Sequence, residues 1–153
     1  MTLREQIQAE ITTAMRSGDA LRRDTLRMAE NAIYNAEKRD RRTYSDDEVS
    51  AILVREVKTR RESIEAFRGA GREDLASKEE SEVEILAAFL PEQLSEADVA
   101  ALVDQAIAET EAAGPRDMGR VMGWLAPRTR GRADGRAVSA AASARLAALA
   151  GQG

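Results

Sequence analysis

Ser45-Asp46-Asp47-Glu48-Val49-Ser50-Ala51-Ile52-Leu53-Val54 opens as a helix and stays one. Ser45 with Glu48 three residues on is a capping box, and three acids in the first turn suit the positive end of a helix dipole. Val49, Ile52, Leu53, Val57, Ile64 and Phe67 then keep the helical period as far as Gly69-Ala70-Gly71. Upstream, Thr2-Leu3-Arg4-Glu5 repeats the box, and Leu3, Ile7, Ile11 and Met15 follow at i, i+4 spacing until Ser17-Gly18-Asp19. Between these lies a helix from about Leu21 to Arg41. Leu21, Met28, Ala29, Ala32, Ile33 and Ala36 form its apolar face, and Lys38-Arg39 and Arg41-Arg42 lie near its C-terminal end. Downstream, a helix starting near Arg72 carries Leu75, Val83, Leu86, Phe89 and Leu90. Pro91 stops it, because proline lacks an amide donor and disfavours helix in the residue before it. Four antiparallel helices with short connections are predicted for residues 1–90.

Leu90-Pro91-Glu92-Gln93-Leu94-Ser95 joins a helix stop to a new N-cap at Ser95 and marks the expected boundary. A smaller three-helix domain is expected over 91–153. Its helices run from about Glu96 to Ala112, from about Asp117 to Ala126, and from Asp134 to Ala150, separated by Gly114-Pro115 and by a loop from Pro127 to Asp134. With 3% aromatic residues and few β-branched ones, a sheet protein is disfavoured and an all-α fold expected.

The chain has no cysteine and no histidine. Disulfides, thiolate nucleophiles, zinc sites built on His or Cys, and Ser-His-Asp chemistry are therefore closed to it acting alone. No phosphate loop of the Gly-x-x-x-x-Gly-Lys-Ser/Thr or Gly-x-Gly-x-x-Gly type occurs. Glu79, Glu80, Glu82 and Glu84 read as an exposed helix face, and the basic runs Lys38 to Arg42 and Arg55 to Arg61 as solvated, salt-bridged surface. No catalytic residue, metal site or cofactor is expected. Without a leader pattern at the N-terminus or an apolar run of membrane-spanning length, a cytoplasmic protein with no membrane contact is the natural expectation.

Charge is segregated along the chain. Residues 1–90 carry 16 basic and 19 acidic side chains, residues 91–114 six acids and no base, and residues 115–153 seven arginines against Asp117 and Asp134. An anionic partner would dock at the basic end. Arg116, Arg120, Arg128, Arg130, Arg132 and Arg136 are the candidate nucleic-acid contacts, each phosphate contact steepening the salt dependence by about 0.7–0.9 log units. Arg116 and Arg120 are read as sharing a helix face, and Arg128, Arg130 and Arg132 as alternating along a loop pinned by Pro127 and Gly131. Gly119 and Gly123 suit helix packing or, less often, close approach by another backbone. Asp117 and Asp134 read as N-caps; with Pro91, Gly131 and Gly135 they serve structure. The bland reading stays open: arginine stems can shield an alanine-rich domain and pair with the acidic segment before it.

In its residues and their order the chain resembles the GatB/YqeY family over nearly its whole length. The resemblance rests on Leu26-Arg27-Met28, on Arg55-Glu56-Val57-Lys58 with Arg61-Glu62-Ser63, and on Phe89-Leu90-Pro91-Glu92-Gln93-Leu94-Ser95. It rests most of all on Asp117-Met118-Gly119-Arg120-Val121-Met122-Gly123 with Gly131-Arg132-Ala133-Asp134-Gly135. It implies a helical N-terminal module and a tail domain similar to the one that ends the B subunit of glutamine-dependent aminoacyl-tRNA amidotransferase. There the tail contacts the tRNA while amide chemistry is done elsewhere. A tRNA-binding accessory protein without catalysis of its own is what this implies. A helical module for a protein partner in translation is the alternative, as is the family-level label of carbon-nitrogen ligase with glutamine as amido donor. Where the family commonly has lysines this chain has Arg120, Arg128, Arg130 and Arg132, which keep the charge and add planar stacking. Trp124 stands where a smaller apolar residue is expected; core and exposed stacking platform are both open to it.

Overall fold

A computed structural model describes residues 1–152. Gly153, the last residue of the expected tail domain, lies outside the described residues. Among the described residues there are seven α-helices, one short 3-10 helix and no strand, so the chain is all-helical. It divides into two compact units, the first Met1–Pro91 and the second starting at Glu92.

The first unit holds α1 (Leu3–Ser17), α2 (Ala20–Asp40), α3 (Asp46–Gly69) and α4 (Glu73–Ala87). Thr2 Oγ1 accepts from the Glu5 amide and Glu5 returns the bond to the Thr2 amide, both at 3.1 Å. Ser45 and Glu48 do the same at the start of α3, where Arg42 also grips the Glu48 carboxylate at 2.8 and 2.5 Å. These bonds satisfy amides that a helix start leaves without partners. Gly18 closes α1 in the left-handed region at φ 77°, where a Cβ would be strained. α2 closes the same way on Arg41 at φ 56°.

Leu3, Ile7 and Ile11 of α1 meet Leu26, Ala29 and Ile33 of α2, Leu53, Val57 and Ile64 of α3, and Ala76, Val83 and Leu86 of α4 in one core. Full burial of Leu26, Leu53 and Leu86 contributes roughly 1.5–3 kcal/mol each. Two expectations change here. Leu21 and Met28 are exposed, because α2 turns Thr25, Leu26, Ala29, Ile33 and Ala36 inward instead. α4 ends at Ala87 rather than at the proline. Phe89 and Leu90 donate to the Leu86 and Ala87 carbonyls at 3.1 and 3.0 Å, a tightened exit that gives the residue before Pro91 its freedom from helix.

A third expectation is overturned between α3 and α4. Arg60 and Glu82, read as solvated surface, are buried at 7% and 5% exposure. Arg60 Nη1 donates to the Glu56 carbonyl at 3.1 Å and to the Glu56 carboxylate at 2.8 Å, while its Nε lies 3.9 Å from the Glu82 carboxylate without a hydrogen bond. Burial pushes the Glu82 carboxyl above the usual carboxylate range, Arg60 pulls it back and Glu79 adds to the rise. The packing of α4 on α3 leaves these two side chains facing inward.

The second unit holds α5 (Glu96–Thr110), a 3-10 turn (Pro115–Asp117), α6 (Met118–Thr129) and α7 (Gly135–Gln152). Ser95 and Asp98 exchange bonds at 3.0 and 3.1 Å to open α5, and Glu111 closes it at φ 55°. Val99, Val103 and Ala106 pack with Val121 and Leu125 of α6 and Val138, Ala142 and Leu146 of α7. The segment before α5 is tied to the α6–α7 turn: the Leu94 amide donates to the Arg132 carbonyl, and Gln93 Nε2 to the Gly131 carbonyl, both at 2.8 Å. α6 runs through Pro127 to Thr129, three residues past its expected end. Pro127 withholds one amide, from the Gly123 carbonyl a turn earlier, and Gly123 is exposed to water, so the helix loses little there.

Candidate nucleic-acid interface

α6 divides the six candidate arginines into two groups. At 1.5 Å per residue its 12 residues separate the α5–α6 connection from the α6–α7 connection by about 18 Å. Arg116 and Arg120 stand at the first, Arg128, Arg130, Arg132 and Arg136 at the second.

At the first connection, Arg116 is exposed in the 3-10 turn and so does not share an α-helical face with Arg120. Asp117 causes the turn. Its carboxylate reaches back to the amides of Ala113 and Gly114 at 2.7 and 3.3 Å, instead of forward to the first amides of α6 as an N-cap would. It also accepts from Arg120 Nη2 at 2.6 Å, and Arg120 Nη1 donates to the Thr110 carbonyl at 2.8 Å. The Ala113 amide first, then the Arg120 guanidinium, hold the Asp117 carboxyl down at about 2. Arg120 is thus committed to a carboxylate and to the end of α5. Because the folded value lies below the unfolded one of about 3.9, Asp117 stabilises the fold above that pH, and the contribution is lost as pH falls towards 2. The thermal midpoint of Asp117→Asn should therefore lie below that of the wild type at pH 5, and the gap should close on acidification. Parallel thermal melts from pH 5 to pH 2 check this.

At the second connection the arginines are held differently. Arg128 belongs to α6 rather than to a loop, and its guanidinium lies over the Trp124 ring at 3.7 Å from the centroid while Nη1 donates to the Trp124 carbonyl at 2.5 Å. Arg130 is the C-cap of α6, donating its amide to the Ala126 carbonyl at 3.1 Å. Gly131 follows at φ 74°, in the left-handed region that glycine adopts without strain. Arg132 is half-buried; its Nε donates to the Glu92 carbonyl at 3.1 Å and its Nη1 to the Arg128 carbonyl at 3.4 Å. Asp134 accepts from the Ala137 amide at 3.1 Å, and Arg136 is exposed in the first turn of α7.

The partners of Arg128 and Arg132 are an aromatic ring and backbone carbonyls. Among the described residues neither guanidinium is within ion-pair distance of a carboxylate, so both are oriented without being neutralised. Asp98 does feel Arg132 at longer range. Arg145, outside the candidate set, pairs with Asp104 at 2.9 Å.

Gly119 and Gly123 do not pack against a neighbour. Both are exposed on α6, and a Cβ at either would meet no heavy atom within 4 Å, as is also true of Gly135. Trp124 packs half-buried against the second core, and the Arg128 guanidinium lies over its ring. The spacing Trp124 to Arg128, one helical turn, is a readable signal for that stack. The carbonyls of Glu92 and Thr110, which anchor Arg132 and Arg120, carry none.

Residues 4–146 match the family described as Yqey-like protein. The chain belongs to the YqeY-like family. It is 32% identical over 130 residues to altered inheritance of mitochondria protein 41, mitochondrial, of Pyrenophora tritici-repentis, which covers 84% of this chain and 71% of that one. It is also 36% identical over 93 residues to an uncharacterized protein of Schizosaccharomyces pombe, covering 61% of this chain and 76% of the other. Among the described residues of this YqeY-like chain, no helix is long and apolar enough to cross a membrane. Nor, among the same residues, do three or more acidic side chains gather as a metal site would need.

Proposed function

We propose that this YqeY-like protein binds folded RNA of the tRNA class through the arginines around α6, as an accessory factor with no amide chemistry of its own. Residues 92–152 act in this reading as the tail domain, similar to that of the amidotransferase B subunit, and residues 1–91 as the helical body that accompanies it. The observation that carries the proposal is the way Arg128 and Arg132 are fixed. Backbone carbonyls and the Trp124 ring set their direction yet leave their charge for phosphate. Arg116 and Arg136 add exposed charge at either end of α6, and the open glycine face at Gly119 and Gly123 lets a backbone come close. The compartment proposed is one that holds tRNA, either the cytoplasm or, following the name of the Pyrenophora relative, the mitochondrion.

Titration with unacylated tRNA at several salt concentrations tests the proposal. Arg132→Ala should weaken binding and flatten the salt slope by nearly one unit, with helicity unchanged. Arg61→Ala, exposed on α3, should leave both unchanged. Wild-type affinity weaker than about 10⁻⁴ M at physiological salt, the weak end of non-specific binding, sinks the reading. A second reading, a docking module for a protein partner, draws on Met15, Leu21 and Met28, which stay exposed at 54%, 37% and 44% in the first unit. Loss of RNA binding from Arg61→Ala with none from Arg132→Ala would instead move the RNA contact to that unit.

A further inference from the structure

The Arg128 guanidinium is a flat group with one face covered. Trp124 lies against that face at 3.7 Å, and the bond from Nη1 to the Trp124 carbonyl, one turn back on the same helix, stops the plane from swinging away. The residue is exposed, and among the described residues no carboxylate claims it. A guanidinium held this way offers its outer face to a second planar group, extending a stack that begins in the hydrophobic core, since Trp124 itself packs on that core. The planar groups available in an anionic ligand of this kind are nucleobases. A base paired inside a duplex has both faces occupied by its neighbours; an unpaired base in a loop has a face to give. Arg132, whose Nη1 donates to the Arg128 main-chain carbonyl, is a second cation four residues along the chain from the stacked Arg128 and can take a phosphate.

We infer that Arg128, laid on Trp124, is a stacking seat for one unpaired nucleobase, so that this surface selects looped or single-stranded RNA over duplex. The inference rests on the RNA-binding reading above and goes past it, because phosphate contacts alone carry no information about the bases.

Three RNAs of equal phosphate number separate the two statements: a hairpin with an unpaired loop, the same hairpin with abasic loop nucleotides, and a fully paired duplex. The full-length wild type should bind the intact hairpin about tenfold more tightly than the abasic hairpin, the size expected for one base stacked on a protein side chain. Arg128→Lys keeps the charge and loses the plane, so it should erase that preference for loop bases. Trp124→Leu, which removes the support under the guanidinium, should erase it too. Trp124 is the one tryptophan of the chain, so its emission reports the seat directly and should respond to the intact hairpin more than to the abasic one. Binding of all three RNAs with no preference for loop bases, or a preference that survives Arg128→Lys, overturns the stacking seat and leaves the RNA-binding reading standing. Failure of the wild type to bind any of the three overturns both.

Discussion

Leu125→Ala is expected to unfold the second unit while α1 to α4 stay folded. Leu125 is completely buried at the centre of a core built from eight buried side chains on three helices. Truncating a buried leucine costs about 2–5 kcal/mol, and a domain of this size commonly has only about 3–5 kcal/mol of stability to lose. The capping box at Ser95 cannot compensate, since a cap contributes about 1 kcal/mol. Native-state hydrogen exchange distinguishes the outcomes. Amides of α5 to α7 should lose protection in the variant while those around Leu53 and Leu86 keep theirs; a uniform drop along the chain would show that the two cores melt in one transition.

Arg60→Ala is expected to destabilise the first unit by about 3–5 kcal/mol, the usual cost of removing one partner from a buried ion pair. The variant takes the nearest cation away from the buried Glu82 carboxyl, leaving Lys78 as a weaker attraction and Glu79 as a neighbour that raises it. Glu82→Gln should cost much less, because Arg60 retains Glu56 at 2.8 Å. The double replacement Arg60→Met with Glu82→Leu should be close to neutral, as apolar substitutes of similar volume often are. The acid dependence supplies a second check. A carboxyl whose folded pKa is raised makes the native state bind more protons than the unfolded one. Its cost is therefore absent below the unfolded value of about 4.3 and grows as pH rises through the folded value. Without Arg60 the carboxyl climbs further, so the deficit of Arg60→Ala measured by urea unfolding at pH 7 should shrink at pH 5.

The helices were legible because their starts are written in side chains. Thr2 with Glu5, Ser45 with Glu48 and Ser95 with Asp98 each place an acceptor at the amides a helix start leaves open, and that chemistry needs no tertiary context. Ends were less legible. Pro127 looks like a stop, yet a proline in a last turn removes a single donor, and its acceptor here faces water. The inward turn of Arg60 and Glu82 left no trace, since charges interleaved at helical spacing look the same on a solvated face as on a packed one. The candidate arginines were visible as a run, but what distinguishes Arg120 from Arg128 and Arg132 is the kind of acceptor each one meets. Two of those acceptors are the carbonyls of Thr110 and Glu92, groups that every residue possesses and no sequence can mark.

All seven cations of residues 92–153 are arginines; the three lysines, Lys38, Lys58 and Lys78, belong to the first unit. Acetyl transfer, the common way to erase a surface charge, acts on amines and therefore has no side-chain target in the α6 region. Amine-directed dyes or tethers likewise attach elsewhere on the chain, so a labelled or immobilised sample retains its guanidinium surface unaltered.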